Sequence, residues 1–312
     1  MNVGDLRARA VDLGFAAGWG AVKALPSPLA SRGFRAFADA ATVRNGKGAQ
    51  QLRKNLHRVR PHASDAELDE LVGAGLRSYA RYWLETFRLP KLDRRAVVAR
   101  ADADTTGAEH VHAAGRAGKG LIIALPHMGN WDVAALWLVA AGYPFTTVAE
   151  RLKPESLYDR FVAYRECLGM EVLPLTGGAA PPSEILAERL RAGRAICLVA
   201  DRDLSRNGIE VQFFGEAARM PGGPALLAAT TGAALLPVSV WFTDDGGWGQ
   251  WIGAPVELRG ERLAEKVRTG TQALADEFEK QIAKRPADWH MLQKLWLADL
   301  PVRTATLNGH RS

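Results

Sequence analysis

The sequence predicts an α/β fold: a mostly parallel central sheet flanked by helices, with a helical N-terminal extension. Two observations predict it. From about residue 118, short apolar runs alternate with helix-length segments, the pattern of repeated β–α units. The first ninety residues instead place apolar side chains at helical spacing, with no strand-like run.

Within the extension, Phe15, Trp19 and Val22 fall on one face, and Pro26 and Pro28 close the stretch. Phe34, Phe37 and Ala41 continue the theme beside Arg32 and Arg35. A third helix is predicted over Ala66 to Phe87, where Leu68, Leu71, Leu76, Tyr79 and Trp83 form the apolar stripe. The core then runs strand "GLIIALP", helix "NWDVAALWLVAAG", strand "FTTVAE", helix "PESLYDRFVAYRECLG", strand "EVLPL", helix "PSEILAERLRAG" and strand "AICLVAD". A strand "EVQFFG" and a helix "PGGPALLAATTGA" follow. "ALLPVSVWF" and "GQWIGAPVEL" read as an antiparallel pair parted by the turn-rich "TDDGGWG". An amphipathic helix from about Arg262 to Lys284 and the tail "PADWHMLQKLW" complete the chain. We expect one domain over residues 1–312, with the extension at 1–90 and the α/β core at 118–300.

The chain has 312 residues, 47% hydrophobic and 24% charged, enough for a large core. The apolar run "VAALWLVAA" is about half of the ~20 residues that a spanning helix needs, so no integral membrane protein is expected. No secretory signal is expected either, because Asp5 and Asp12 interrupt the basic start. Charge is uneven. Residues 1–60 hold eleven Lys/Arg against three acids, leaving 29 and 31 to the other 252 residues. A basic extension on a near-neutral body suggests an anionic partner surface, lipid or nucleic acid; a solvated basic face explains it as well. No nucleic-acid recognition motif is present. Cys167 and Cys197 lie in apolar surroundings and read as small core residues; His110 and His112 lack metal-ligand spacing, so no metal is expected.

The candidate chemistry lies in "LPHMGNWD", residues 125–132. The strand ending at Leu125 delivers His127 to the carboxyl edge of a parallel sheet, where active sites of open α/β folds gather. Asp132, just over one turn into the following helix, is expected to reach back to one imidazole nitrogen and leave the other free to take a proton. No G-x-S-x-G elbow, cysteine–histidine pair or phosphate loop is present, so the residues point to direct attack by a substrate hydroxyl on an activated acyl donor.

"LPHMGNWD", "LVADRDL", "FFGEAARMPGGPALLAATTGAALLPV" and "PADWHMLQKLW" resemble the bacterial lysophospholipid and lipid A acyltransferase family, whose signature is H-x4-D. "FTTVAERLKPESLYDRFVAYRECLGMEVLPLTGG" resembles its actinobacterial phosphatidylinositol mannoside acyltransferases, and the similarity runs from about Leu13 to Leu300. The resemblance implies transfer of a fatty acyl group, usually palmitoyl, from acyl-CoA. The acceptor would be the 6-hydroxyl of the mannose at inositol position 2 of a phosphatidylinositol mannoside. It makes His127 the general base and Asp132 its orienting acid. In the mycobacterial enzymes a Glu stands second in the motif that matches "ADRDL"; here it is Asp201, one methylene shorter, and direct contact with His127 is left open. By the same resemblance Glu150 and Arg165 are candidates to line the site, with Thr230 near the donor site; Arg202 and Arg206, with Asn207 beside them, follow "AICLVAD" and are candidates for charge-assisted bonds to CoA or lipid phosphate. Surface salt bridges or helix faces would explain each of them equally. His290 reads as structural.

The expected partners are therefore acyl-CoA as co-substrate, a mannosylated phosphatidylinositol and an anionic membrane surface, with no nucleic acid and no cofactor. The expected location is peripheral, on the cytoplasmic face of the cell membrane, with the aromatic extension as docking face or simply packed on the core. Two other readings stay open: an acyltransferase on another lysolipid or glycolipid, and a catalytically silent anionic-lipid-binding protein.

Overall fold

A computed structural model describes residues 14, 18–151, 154–203 and 207–300. Helical residues 18–24 precede α1 (Ser27–Arg44), α2 (Lys47–Val59) and α3 (Asp65–Arg88). The last begins at a capping box, in which Ser64 Oγ accepts from the Glu67 amide and the Glu67 carboxylate accepts from the Ser64 amide. Leu52 and Leu56 of α2, Val72 and Leu76 of α3, and Ala38 of α1 bury a small core of their own.

The main sheet has seven strands in the order β1-β9-β8-β2-β5-β3-β4. These are β1 (Thr105–Thr106), β2 (Leu121–Leu125), β3 (Phe145–Ala149), β4 (Glu171–Pro174), β5 (Ala195–Val199), β8 (Ala234–Phe242) and β9 (Trp248–Ile252). β2, β3, β4, β5 and β8 run parallel, and β9 turns back antiparallel to β8. β6 (Ile209–Phe213) and β7 (Glu216–Met220) form a separate antiparallel ribbon, so "EVQFFG" pairs outside the main sheet.

Central β2 shows why the sheet sits between two layers. Its residues alternate faces. Ile122 and Ala124 enter the core built with α8 (Pro182–Arg191), α9 (Gly223–Thr231) and α10 (Leu263–Lys284). Leu121, Ile123 and Leu125 enter the core built with α4 (Arg94–Asp102), α5 (Ala108–Ala117), α6 (Trp131–Ala140) and α7 (Glu155–Cys167). A strand buried on both faces must be apolar throughout, which is why "LIIAL" has no polar member. Burial of each large side chain contributes roughly 1.5–3 kcal/mol.

The sequence reading left residues 91–118 unassigned; they form α4, β1 and α5. It also extended the last strand to Leu258, whereas β9 ends at Ile252. Pro255 lies in the stretch read as strand, has no N–H to donate to a ladder, and follows that end.

Candidate active site

His127 sits in the five-residue link between β2 and α6. Two features fix that link. Gly129 has φ +55°, and a Cβ there would lie 2.6 Å from the Val240 carbonyl oxygen, so only glycine fits. Asn130 caps α6: its Oδ1 accepts from the amides of Asp132 (3.1 Å) and Val133 (3.3 Å). Its Nδ2 donates to Glu85 on α3, 2.7 Å away, which also accepts from Trp248 Nε1 at 2.7 Å and from Arg81 Nε at 2.7 Å. The helical extension thus forms one wall of the site.

Register then brings Asp201 to His127. β2 and β5 are parallel with Leu125 opposite Val199, and the Ala200 amide donates to the Leu125 carbonyl at 2.8 Å. His127 and Asp201 each stand two residues beyond that pair and come out side by side. His127 Nδ1 lies 2.5 Å from Asp201 Oδ1, and the His127 amide donates to Oδ2 at 3.0 Å. Trp289 Nε1 donates to the same Oδ2 at 2.9 Å. The Asp201 side chain is 0% exposed and that of His127 30%. Burial alone would raise the Asp201 pKa; the facing imidazole and the donors from His127 and Trp289 outweigh it, and the carboxyl is held below its ordinary value. An anion therefore fixes Nδ1, and Nε2 is the nitrogen left to take a proton.

Asp132 is the correction. Its carboxylate does not orient His127, because the Nδ1 edge belongs to Asp201 and Asp132 is held elsewhere. It is 1% exposed and faces Arg165 Nε at 3.4 Å, Tyr164 Oη at 3.3 Å and Thr86 Oγ1 at 3.4 Å. Burial would lower the Arg165 pKa, yet Asp132 opposite outweighs it and the net shift is upward. The Tyr164 phenol is pushed well up, by burial first and then by Asp132.

Glu150 and Arg202 follow β3 and β5 at the same sheet edge, with Arg202 Nη2 3.9 Å from Glu150 Oε2. Arg202 Nε is buried and has no hydrogen-bond partner among the described residues. Asn207 is exposed just before β6, and Arg206 lies outside the described residues. Thr230, expected near the donor site, lies away from His127. It is near the end of α9, four residues before Ala234, which pairs with Leu121 at the start of β2. That is the amino edge of the sheet, opposite His127, and the Thr230 hydroxyl donates to the Leu226 carbonyl at 2.8 Å.

Trp19 also departs from the docking expectation: its indole donates to the Phe87 carbonyl at 3.2 Å and packs against Phe87, Phe161 and Tyr164. Phe34 packs on the small helical core, whereas Phe37 is 72% exposed. Phe15 lies outside the described residues. Cys197 is no nucleophile, since burial pushes its thiol up to about 12.

Residues 288–290, in the segment "PADWHMLQKLW", touch the His127 link directly. Met128 bridges Trp289, the Gly129 amide donates to the Asp288 carbonyl at 2.9 Å, and the His290 amide donates to the His127 carbonyl at 2.7 Å. The His290 ring is enclosed by Tyr79, Tyr82, Trp131 and Phe242, with Nε2 2.9 Å from Ser78 Oγ, which donates to Asp288 at 2.7 Å. No local pattern in the sequence could reveal a pairing between segments so far apart.

Residues 7–298 match the model of the bacterial lipid A biosynthesis acyltransferase family. A phosphatidylinositol mannoside acyltransferase of Mycolicibacterium smegmatis is 54% identical over 295 residues, covering 95% of this chain and 94% of that one. One from Mycobacterium tuberculosis is 53% identical over 295 residues, covering 93% and 90%. Matched over nearly its whole length, the chain belongs to the bacterial lipid A biosynthesis acyltransferase family.

Proposed function

We propose that this acyltransferase moves a palmitoyl group from acyl-CoA to the 6-hydroxyl of the mannose at inositol position 2 of a phosphatidylinositol mannoside. The observation that carries the reading is the in-register His127–Asp201 pair at the carboxyl edge of the sheet. Similarity to the mycobacterial enzymes supports the acceptor class.

In this scheme His127 Nε2 takes the proton of the mannose hydroxyl as its oxygen attacks the thioester carbonyl. Asp201 stabilises the imidazolium that forms. The tetrahedral adduct collapses, the C–S bond breaks, and the leaving CoA sulfur takes the proton back from Nε2. Products are the mannosyl ester and CoA thiol. The thioester is already activated, so the scheme needs neither a covalent acyl-enzyme nor a cofactor. Arg202, with its unpartnered Nε, and neighbouring Glu150 are the groups we assign to ligand oxygens at this edge. Asp132 and Arg165 support the wall between α6 and α7.

Membrane access falls to α1 in this reading. Leu29, Phe37 and Val43 are exposed along one side of it, with Arg32 and Arg44 alongside, a face suited to the anionic cytoplasmic leaflet. Among the described residues, no helix is long and apolar enough to cross a membrane.

The test is an acyl-CoA assay on mannosylated and unmannosylated phosphatidylinositols. Turnover confined to mannosylated lipids supports the reading. Turnover only on another lysolipid would change the acceptor, and none on any lipid would leave a silent binder.

A further inference from the structure

An aspartate carboxylate can rotate about its last side-chain bond, because such torsions have broad minima. In Asp201 that freedom is removed. Oδ2 receives two N–H donors, the His127 amide at 3.0 Å and the Trp289 indole at 2.9 Å, and this turns Oδ1 onto His127 Nδ1. The first donor belongs to the very residue being positioned and cannot fix it independently. The second comes from a separate segment, and Trp289 is itself held. It is fully buried, and its ring packs edge-on against Phe213 at 6.0 Å and Trp296 at 6.1 Å. Its backbone bridges Met128, and its neighbours on either side bond the His127 link. Segment 288–290 therefore grips both halves of the pair: the His127 backbone on one side, the Asp201 carboxylate on the other.

We infer that Trp289 is a positioning residue for acyl transfer, acting on His127 through Asp201; this rests on the reading of His127 as the base. The indole has a second effect. A donor on Oδ2 draws negative charge from the carboxylate and so tempers the basicity it confers on the imidazole. Without that donor the carboxylate is a stronger acceptor toward Nδ1 and a less fixed one. The imidazolium gains stability at the resting site, while productive alignment is lost. Both changes should be visible in kinetics, and they differ from what loss of packing alone would do.

The test replaces Trp289 with benzothienylalanine, an isostere carrying sulfur where the indole carries its N–H, alongside Trp289→Phe. Because the isostere keeps ring shape and volume, it remains informative if Trp289→Phe does not fold. We expect kcat to fall roughly tenfold, the loss of one hydrogen bond to a charged group. KM for acyl-CoA and for the lipid acceptor should stay within about twofold. The acid limb of the pH–rate profile should move upward, and an NMR titration of the His127 ring should move with it. A folded isostere variant with wild-type kcat and an unmoved His127 titration would overturn the inference. So would a loss that follows only the folded fraction and leaves the pH profile in place. Assaying His127→Ala in the same series separates the two claims. If it is inactive while the isostere variant behaves as wild type, the positioning role fails and the base reading stands. If it turns over normally, the base reading fails and the positioning role falls with it.

Discussion

Asp132 and Asp201 are both buried carboxylates near the carboxyl edge of one sheet, and they occupy different kinds of surroundings. Asp201 faces a partly exposed imidazole on the adjoining strand end and is held by N–H donors. Asp132 faces the Arg165 guanidinium among Tyr164 and Thr86, inside the packing between α3, α6 and α7. Asp132 is five residues from His127, and Asp201 is 74 away. The distant residue makes the contact because parallel register fixes which strand ends meet, whereas a helix turns its first-turn side chains according to what packs on each face. One carboxylate is held against an imidazole, the other against a part-buried guanidinium.

The largest effect should come from the proton-handling side. His127→Ala is expected to reduce kcat by about 10²–10⁴-fold with the fold intact, as measured by steady-state turnover and circular dichroism. Near-normal turnover in a folded variant would erase the functional half of the contrast. On the other side, Asp132→Ala leaves the part-buried Arg165 without its counter-ion and should lower the free energy of urea unfolding, by less than the ~3–5 kcal/mol of a fully buried pair. A folded variant of unchanged stability would show that the ion pair is not what Asp132 is for.

The pH dependence of stability sharpens the picture of the wall next to His127. Burial, then the nearby His127, lowers the His290 pKa to about 3, against an ordinary value near 6.5. Between those values the unfolded chain binds a proton that the folded chain does not. The contribution is therefore complete above about pH 6.5 and is lost progressively as pH falls toward 3. Asp288, raised by burial, works in the opposite sense at the acid end. His290→Gln should flatten the decline in unfolding free energy between pH 6.5 and pH 5; an unchanged slope would place its origin elsewhere.

The smallest effect should be at the membrane face. Phe37→Asp is expected to weaken binding to anionic vesicles several-fold and leave activity on a detergent-dispersed acceptor unchanged. Trp19→Asp, by contrast, should destabilise the fold, since Trp19 packs on α3 and α7. Vesicle sedimentation beside thermal unfolding distinguishes the two. Normal vesicle binding by Phe37→Asp would move the docking face off α1.

Much of this was legible in the sequence, unevenly. "GLIIALP" and "AICLVAD" declared buried parallel strands because nothing polar interrupts them, and His127 stood out as a titratable group at an apolar strand end. Asp201 came from resemblance alone, since no local spacing tells which two strands will be neighbours or in what register. Residues 91–118 hid two helices because Ala and Arg there give weak apolar periodicity, and α4 buries only Val97 and Ala101. Whether Trp19 faces lipid or the core stays open in the sequence, because an amphipathic aromatic face looks the same whether lipid or α3 covers it. Trp289 and Asp288 could not be found, since the pairing of 288–290 with 127–129 spans most of the chain.

The most direct test of whether Asp201 is the acid that serves His127 is a pair of double-mutant cycles on kcat. Asp201→Ala combined with His127→Ala should cost little more than His127→Ala alone, because the two act as one unit. Asp132→Asn combined with His127→Ala should instead multiply as independent effects. Non-additivity with Asp132 and independence with Asp201 would contradict the account.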